Sequence, residues 1–392
     1  MSTELSAVCR LVKGGLDPQR HADTSFAHYS IPAFDSGRGP VIELGGNIHS
    51  QKTPIPGDVV LVSKLNPRIP RVWHVNDDQS HQRICSTEFV ALQPDYTVLE
   101  PAYLSYALRE ALQAGFIKGD TAAATKSRER AKPSDFLRLR VRIPPLSEQR
   151  RIVDLLLRAE NIVRMRREAE QKAKEIIPAL FLDMFGDPAT NPKGWDIRPL
   201  GDILRSIDFG LSVALSKDVD FKPGRTGVLR IANITANGHL DLTDVRYIKV
   251  SDNHRTRLDL RAGDLLFNWR NSPKWVGKTA FVANGLEHTF ASFLYRLRAS
   301  PERADSHYVW RYLNLLREHG VFESMCRQAV SQANLGRDEL ASVRVMVAPL
   351  ERQQSFGKWC VHLWGVEAQL ARATWTAETA FQSLLAGVFG ER

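Results

Sequence analysis

Hydrophobic and polar positions follow two regimes that alternate twice along the chain. From Met1 to Ile143 the apolar residues come in short, strand-length runs such as Asp58 to Val62, with one helix-like stretch from Pro101 to Ala111 that sets Tyr103, Leu104 and Leu108 on faces. At the Pro-Leu pair ending in Leu146 the pattern changes. Ile152, Leu156, Ala159, Val163, Arg166, Glu170, Ala173, Ile177, Leu180 and Met184 are spaced alternately by four and three, which predicts the seam of a coiled coil with a polar interruption. Pro188 to Val347 returns to strand-like runs at Asp264 to Asn268 and Thr279 to Ala283, with a helix-like stretch from Ser306 to Leu316. A second seam then runs through Phe356, Cys360, Leu363, Glu367, Leu370, Thr374, Ala377, Phe381, Leu384 and Val388. Pro178 removes a helical hydrogen bond and predicts a bend just before Ala179.

The second pair of regimes repeats the first. Arg140-Val141-Arg142-Ile143-Pro144-Pro145-Leu146 reappears as Arg344-Val345-Met346-Val347-Ala348-Pro349-Leu350, and Phe185-Gly186-Asp187 as Phe389-Gly390-Glu391, both at a shift of 204. Upstream, Gly57-Asp58-Val59-Val60-Leu61 matches Gly263-Asp264-Leu265-Leu266-Phe267 at 206, and Tyr103-Leu104 with Leu108 matches Tyr308-Val309 with Leu313 at 205. A period this long is a duplicated domain pair rather than a solenoid. The expected fold class is therefore α+β: two mixed α/β domains joined by two long antiparallel coiled-coil helices in a pseudo-twofold internal repeat. The boundaries fall at residues 1–144, 145–187, 188–348 and 349–392. Helices of about 38 residues would make a rod of roughly 55 Å, with Leu146 of one near Phe389 of the other. The alternative is that each seam packs on the chain's own globular domains.

Composition narrows the class. A chain of 392 residues exceeds the usual single domain, and 43% hydrophobic with 25% charged residues argues against wholesale disorder. No window approaches the roughly 20 apolar residues of a membrane helix, and the N-terminus lacks a signal-peptide stretch, so the expected location is the cytoplasm without a membrane partner. Cys9, Cys85, Cys326 and Cys360 are too few and dispersed for a disulfide framework or a CxxC metal site, and are expected as buried thiols. Lys and Arg outnumber Asp and Glu by 53 to 44, a net charge of +9, which permits an anionic partner without requiring one.

Catalytic patterns fail when followed residue by residue. Val276-Gly277-Lys278-Thr279 ends like a phosphate-binding loop, but Ser272 stands where that loop needs a glycine. Gly37-Arg38-Gly39 starts a dinucleotide-like pattern that breaks at Ile42 and reads as a turn. No Asn/Asp-Pro-Pro-aromatic methyltransferase signature occurs, and Glu170-Gln171-Lys172, a nuclease-like spacing, lies inside a heptad helix. The histidines form no i, i+4 metal pair. The expectation is a non-catalytic chain with no metal or bound cofactor.

Basic residues carry the positive case. Between positions 126 and 142 stand Lys126, Arg128, Arg130, Lys132, Arg138, Arg140 and Arg142 against Glu129 and Asp135, so seven minus two leaves an excess of five. The equivalent stretch of the second copy, Ser331-Gln332-Ala333-Asn334-Leu335-Gly336-Arg337, holds Gln332 and Asn334, which suit adenine edges, and Arg337, which suits guanine or phosphate. A second surface is the loop from Asn268 to Lys278, with Arg270, Asn271, Lys274 and Lys278, mirrored by Lys64, Arg68 and Arg71 in the first copy. Leaving aside Arg138, Arg140 and Arg142, which alternate along a strand-like run, the other fourteen side chains, with Lys126, Arg128, Arg130 and Lys132 counted among them, are the candidate DNA contacts, while a solvated loop or structural hairpin is the plainer alternative for each stretch.

Ile143-Pro-Pro-Leu-Ser-Glu-Gln-Arg-Arg-Ile-Val153, followed by a charged heptad helix ending in Phe185-Gly186-Asp187, resembles the central conserved region of specificity subunits of type I restriction-modification systems. Pro192-Lys193-Gly194-Trp195 with Leu200-Gly201-Asp202-Ile203 is similar to the start of that family's second target-recognition domain, and Ser331 to Leu335 before Pro349-Leu350 to its later landmarks. The first domain is short at its start, has Pro70-Arg71-Val72 where Gly277-Lys278-Thr279 sits in the second, and the distal helix is rich in Trp359, Trp364 and Trp375. The resemblance implies two target-recognition domains, each reading half of a bipartite site on double-stranded DNA. It also implies central and distal conserved helices that set the spacer and dock two methyltransferase subunits, with restriction and translocation subunits joining. S-adenosylmethionine, ATP and Mg would then be bound by those partners. A coiled-coil adaptor, a stand-alone DNA-binding protein and a single-chain nuclease or methyltransferase are the competing readings.

Overall fold

The computed structural model describes residues 2–76, 80–119, 129–212, 223–329 and 332–390, without the side chains of 327–329 and 332. The chain divides into two compact units, Met1–Glu168 with Arg372–Arg392, and Ala169–Ala371. Both are mixed α/β, and each holds part of both long helices.

The first unit is built around strand Val59–Ser63, every residue of which is buried. It pairs antiparallel with Val72–Val75 on one side and Phe89–Pro94 on the other, and Cys9–Leu11 adds to the latter. Side chains alternate across a strand, so Val60 and Val62 enter a core with Tyr103, Leu104 and Leu108 of helix Pro101–Gln113. Val59 and Leu61 face a second core with Ala27 and Tyr29 from the neighbouring sheet. A strand covered on both faces reads as a continuous apolar run, which is why it is plain in the sequence. The second sheet orders Val41–Leu44, Ser25–Tyr29, Gln82–Ser86 and Lys52–Pro54, its middle two strands parallel.

The second unit repeats this topology. Leu204–Phe209, Leu294–Ala299, Leu265–Asn268 and Thr279–Phe281 form the first sheet, and Arg246–Ile248, Thr226–Leu229 and His288–Phe290 the second, with Thr226–Leu229 parallel to His288–Phe290. Helix Ser306–Glu318 takes the place of Pro101–Gln113. Each unit closes its chain with a short antiparallel pair, Ser2–Glu4 on Arg140–Arg142 and Asp196–Pro199 on Arg344–Val347. The duplication thus reaches the two main sheets of each unit, the second of which has four strands in the first unit and three in the second; the small sheet of Arg270–Asn271, Gln332–Asn334 and Arg327–Ala329 is matched in the first unit by the single bridge from Leu65 to Arg130.

The long helices are Leu146–Phe185, which includes Pro178, and Leu350–Phe389. Within the first unit Arg167 bonds Glu378 at 2.6 Å, and Val163, Leu156, Phe381 and Leu385 share one core. Within the second, Phe181 and Phe185 meet Phe356 at ring distances of 5.4 and 5.6 Å, while Lys174 acts electrostatically on Glu367. The helices therefore run in opposite directions in each unit. Their seams also pack on the unit's own domain: Tyr103 meets Phe389 at 4.9 Å, and Tyr308 meets Phe185 at 4.8 Å. Two seam positions are corrected. Arg166 is exposed and its neighbour Arg167 makes the cross-helix pair; Leu384 is 43% exposed while Leu385 is buried. A strict seven-residue count drifts against a helix of 3.6 residues per turn, and both errors are one residue wide.

A buried glutamine fixes each long helix to its domain. Gln149 donates to Val98 O at 2.8 Å and Pro144 O at 2.7 Å, and accepts from Glu100 N at 2.9 Å, so it caps helix Pro101–Gln113. Gln353 does the same in the second unit, donating to Ala348 O at 2.6 Å and accepting from Asp305 N at 3.0 Å. This gives the Gln after each Pro-Leu pair a physical role. All four cysteines are free and buried. Among the described residues no helix is long and apolar enough to cross a membrane.

Candidate nucleic-acid interface

The two basic surfaces that the sequence presents separately form one corner in each unit. In the first, Lys64 N donates to Glu88 O at 2.9 Å, Ala131 N to Lys64 O at 2.9 Å and Asn66 N to Glu129 O at 2.8 Å, with Leu65 bridging to Arg130. In the second, Trp269 N donates to Phe293 O at 3.3 Å and Leu335 N to Trp269 O at 2.9 Å, while strand Arg270–Asn271 pairs with Ala333 and Asn334. The backbone pattern is the same, so Trp269 occupies the place of Lys64, Phe293 that of Glu88, and Asn334 that of Arg130. A short helix follows each corner, Pro133–Leu137 and Arg337–Ala341.

The candidate side chains differ in what they do at these corners. Lys126 and Arg128 lie outside the described residues. Arg130 forms a two-pronged bond to Glu88 at 3.1 and 2.9 Å, which holds the Glu88 carboxyl below its ordinary range against the opposing effect of burial. Arg68 lies 3.7 Å from Glu129. The Arg71 guanidinium is gripped by Asp35 at 2.7 and 2.9 Å with only 12% of the side chain exposed, which ties it to its own unit. Lys64 is half-buried and forms no ion pair among the described residues; Lys132 is exposed, and its backbone N–H donates to Asp135 Oδ2 at 3.0 Å. Among the described cations of that stretch, Arg130 is neutralised by Glu88.

In the second unit the Arg270 guanidinium lies 5.0 Å from the centre of the Phe293 ring, and the Lys274 ammonium is exposed 5.6 Å from Trp275. Asn271 accepts from Ser272 N at 2.8 Å. Lys278 is likewise tied to its own unit. It donates to Ile231 O at 3.3 Å and Ile234 O at 2.7 Å, tying the loop after Thr226–Leu229, and burial together with Arg317 pushes its amine pKa down. Gln332 lies in the hairpin strand Gln332–Asn334, but its side chain is outside the described set. Asn334 is half-buried, with a buried Oδ1 that has no hydrogen-bond donor among the described residues. Arg337 is exposed and shares a cleft with Trp269, Asn334, Gly336, Asp338 and Glu339.

Sequence reasoning missed the neighbours that define these corners: Glu88 and Asp35 in the first, and Phe209, Phe293 and Tyr295 in the second. Asp35, Phe209 and Tyr295 stand on a helix or strands and Glu88 and Phe293 in turns, each far in sequence from its partner, and no local spacing connects them. Among the described residues no group of His, Cys, Asp or Glu is arranged to hold a metal ion.

No family model matches the chain. Among curated proteins it is 27% identical over 169 residues to a putative type I restriction enzyme MjaX specificity subunit of Methanocaldococcus jannaschii, covering 43% of this chain and 39% of that protein. It is 24% identical over 275 residues to the type I restriction enzyme EcoKI specificity subunit of Escherichia coli K12, covering 66% and 58%. The chain thus spans less than two thirds of the length of either relative. Among solved structures, a chain from work on complex assembly and conformational transition of the type I R-M system matches with a TM-score of 0.63 and 22% identity over 99% of this chain and 97% of that one. A type I restriction-modification S subunit from M. genitalium matches at 0.55 and 12%, over 99% and 96%. At these identities the structural likeness shows a shared fold. In sequence, through the motif at Ile143 to Val153 and the two curated matches, the chain is similar to the specificity subunits of type I restriction-modification systems.

Proposed function

We propose that this chain is the DNA sequence-specificity subunit of a type I restriction-modification complex, a non-catalytic scaffold whose two units each read one half of a bipartite target. The observation that carries this reading is the duplicated corner: the same backbone pairing recurs at Lys64 to Arg130 and at Trp269 to Asn334, beside exposed cations and amides. Cations on exposed loops suit phosphates, and amides and guanidinium groups suit base edges in the major groove. Lys64, Lys132, Arg270, Lys274 and Arg337 are the contacts we favour; Arg68, Arg130, Asn271 and Asn334 flank them.

The long helices set the spacer between half-sites and dock two methyltransferase subunits. Exposed Leu155, Ile162 and Met165 on the central helix, and Trp359 and Trp375 on the distal one, support that role, because apolar side chains left in water on a helix suit a protein partner. Restriction and translocation subunits join the assembly in the cytoplasm, and S-adenosylmethionine, ATP and Mg enter with the partners. Co-expression with a cognate methyltransferase subunit, followed by long-read mapping of modified adenines, tests the proposal. A target of two fixed half-sites separated by an unspecified spacer of constant length is expected. Methylation that ignores sequence, or none at all, overturns it.

A further inference from the structure

The two corners share a backbone but not a chemistry. In the first unit the three positions defined by the common hydrogen bonds carry Lys64, Glu88 and Arg130, an ionic set with Arg130 bonded to Glu88. In the second they carry Trp269, Phe293 and Asn334. Around Trp269 the second unit gathers further rings. Tyr295 stacks under it at 5.4 Å and 16°, and Phe209 and Phe293 stand edge-on at 5.9 and 6.2 Å. The indole is fixed by its own N–H, which donates to Ser292 O at 2.8 Å.

The outer members of this cluster face water. Phe209 is 47% exposed and Phe293 42%, although Tyr295 beneath them is buried. Aromatic rings left in water next to Arg270, whose guanidinium lies on Phe293, form a surface that is apolar at its centre and cationic beside it. A protein partner would be expected to cover the rings and neutralise the cations with acids. A duplex offers another match: phosphates for Arg270, Lys274 and Arg337, and between them one apolar group on the major-groove floor, the 5-methyl of thymine.

We infer that Phe209, Trp269 and Phe293 form a thymine-methyl contact, so that the second unit selects its half-site partly by apolar contact while the first, with Lys64, Glu88 and Arg130 in the equivalent places, does not. This rests on the proposed DNA-reading function, and the rings are specificity-determining rather than catalytic. Removing one buried methyl is worth roughly a fourfold change in affinity.

The test uses the full chain in complex with its methyltransferase partner and the mapped target duplex. Each thymine of both half-sites is replaced in turn by deoxyuridine, which deletes the methyl and keeps every hydrogen bond. We expect a loss of roughly fourfold at one or two positions of a single half-site, none in the other, and no loss at those positions for Phe209→Ala or Phe293→Ala. Specific binding that is indifferent to every thymine methyl, a target lacking thymine in both half-sites, or variants that still discriminate as the wild type does would each overturn the inference alone. Equal affinity for the target and a scrambled duplex would overturn the functional reading with it. The wild-type measurement stands even if a variant fails to fold.

Discussion

At the scale of single residues, cations that look alike in sequence divide into those that face solvent and those that hold the unit together. Lys274 and Lys278 are four apart in one loop, yet the first is exposed and the second donates to Ile231 O and Ile234 O. Lys274→Ala should therefore lower the salt dependence of duplex binding by about one unit of slope and leave stability unchanged. Lys278→Ala should do the reverse, costing about 1–3 kcal/mol in unfolding free energy by taking the donor from the Ile234 carbonyl, while Ile231 O keeps its bond from Ile234 N, with the salt slope intact. Denaturant titration and binding at several salt concentrations separate the two. A further residue-scale device is the pair Arg296 and Arg298, held by Asp208, Asp259 and Asp264. Burial raises the carboxyls of Asp208 and Asp259, but bonds from Arg296 and Ser206 to the first, and from Arg261 and Arg298 to the second, hold both below their ordinary range. A carboxylate with a depressed folded pKa stabilises the fold above the unfolded value near 4 and loses that contribution as pH falls through the folded one. Asp208→Asn should thus cost about 1–2 kcal/mol near neutrality, and its difference from wild type should shrink below about pH 4; unfolding measured across pH checks this. None of these pairings was legible in the sequence, because Arg296 meets Asp208 at a separation of 88 residues.

At the scale of elements, legibility followed coverage. Strand Leu265–Asn268 and helix Ser306–Glu318 announce themselves because one opens with three apolar residues and is buried throughout, and the other is rich in buried Tyr, Trp and Leu. Short edge strands such as Val41–Leu44, with Val41, Ile42 and Leu44 exposed, have no such pattern. The long helices were legible to within a turn at each end, and only the phase of individual seam positions drifted. What the repeat also carried, without revealing its reason, was the glutamine after each Pro-Leu pair. Gln353→Ala should destabilise the second unit by about 2–3 kcal/mol, since it strands the Asp305 N–H and the Ala348 carbonyl in a buried site; Gln149→Ala, with three partners, should cost the first unit at least as much. Chemical denaturation of each variant measures this.

At the scale of the whole molecule, the proposed function makes a specific demand of the duplicated corner and the duplicated helix: half-site identity and spacer length must be separable. Seven residues extend a helix by about 10.5 Å, close to three base pairs of duplex, and keep the seam in phase. The direct measurement is a long-read map of modified adenines for the wild-type chain and for one lengthened by a heptad in both helices, after Glu168 and after Ala371. We predict the same two half-sites with a spacer longer by about three base pairs. Altered half-sites, or an active variant whose spacer is unchanged, would contradict the account.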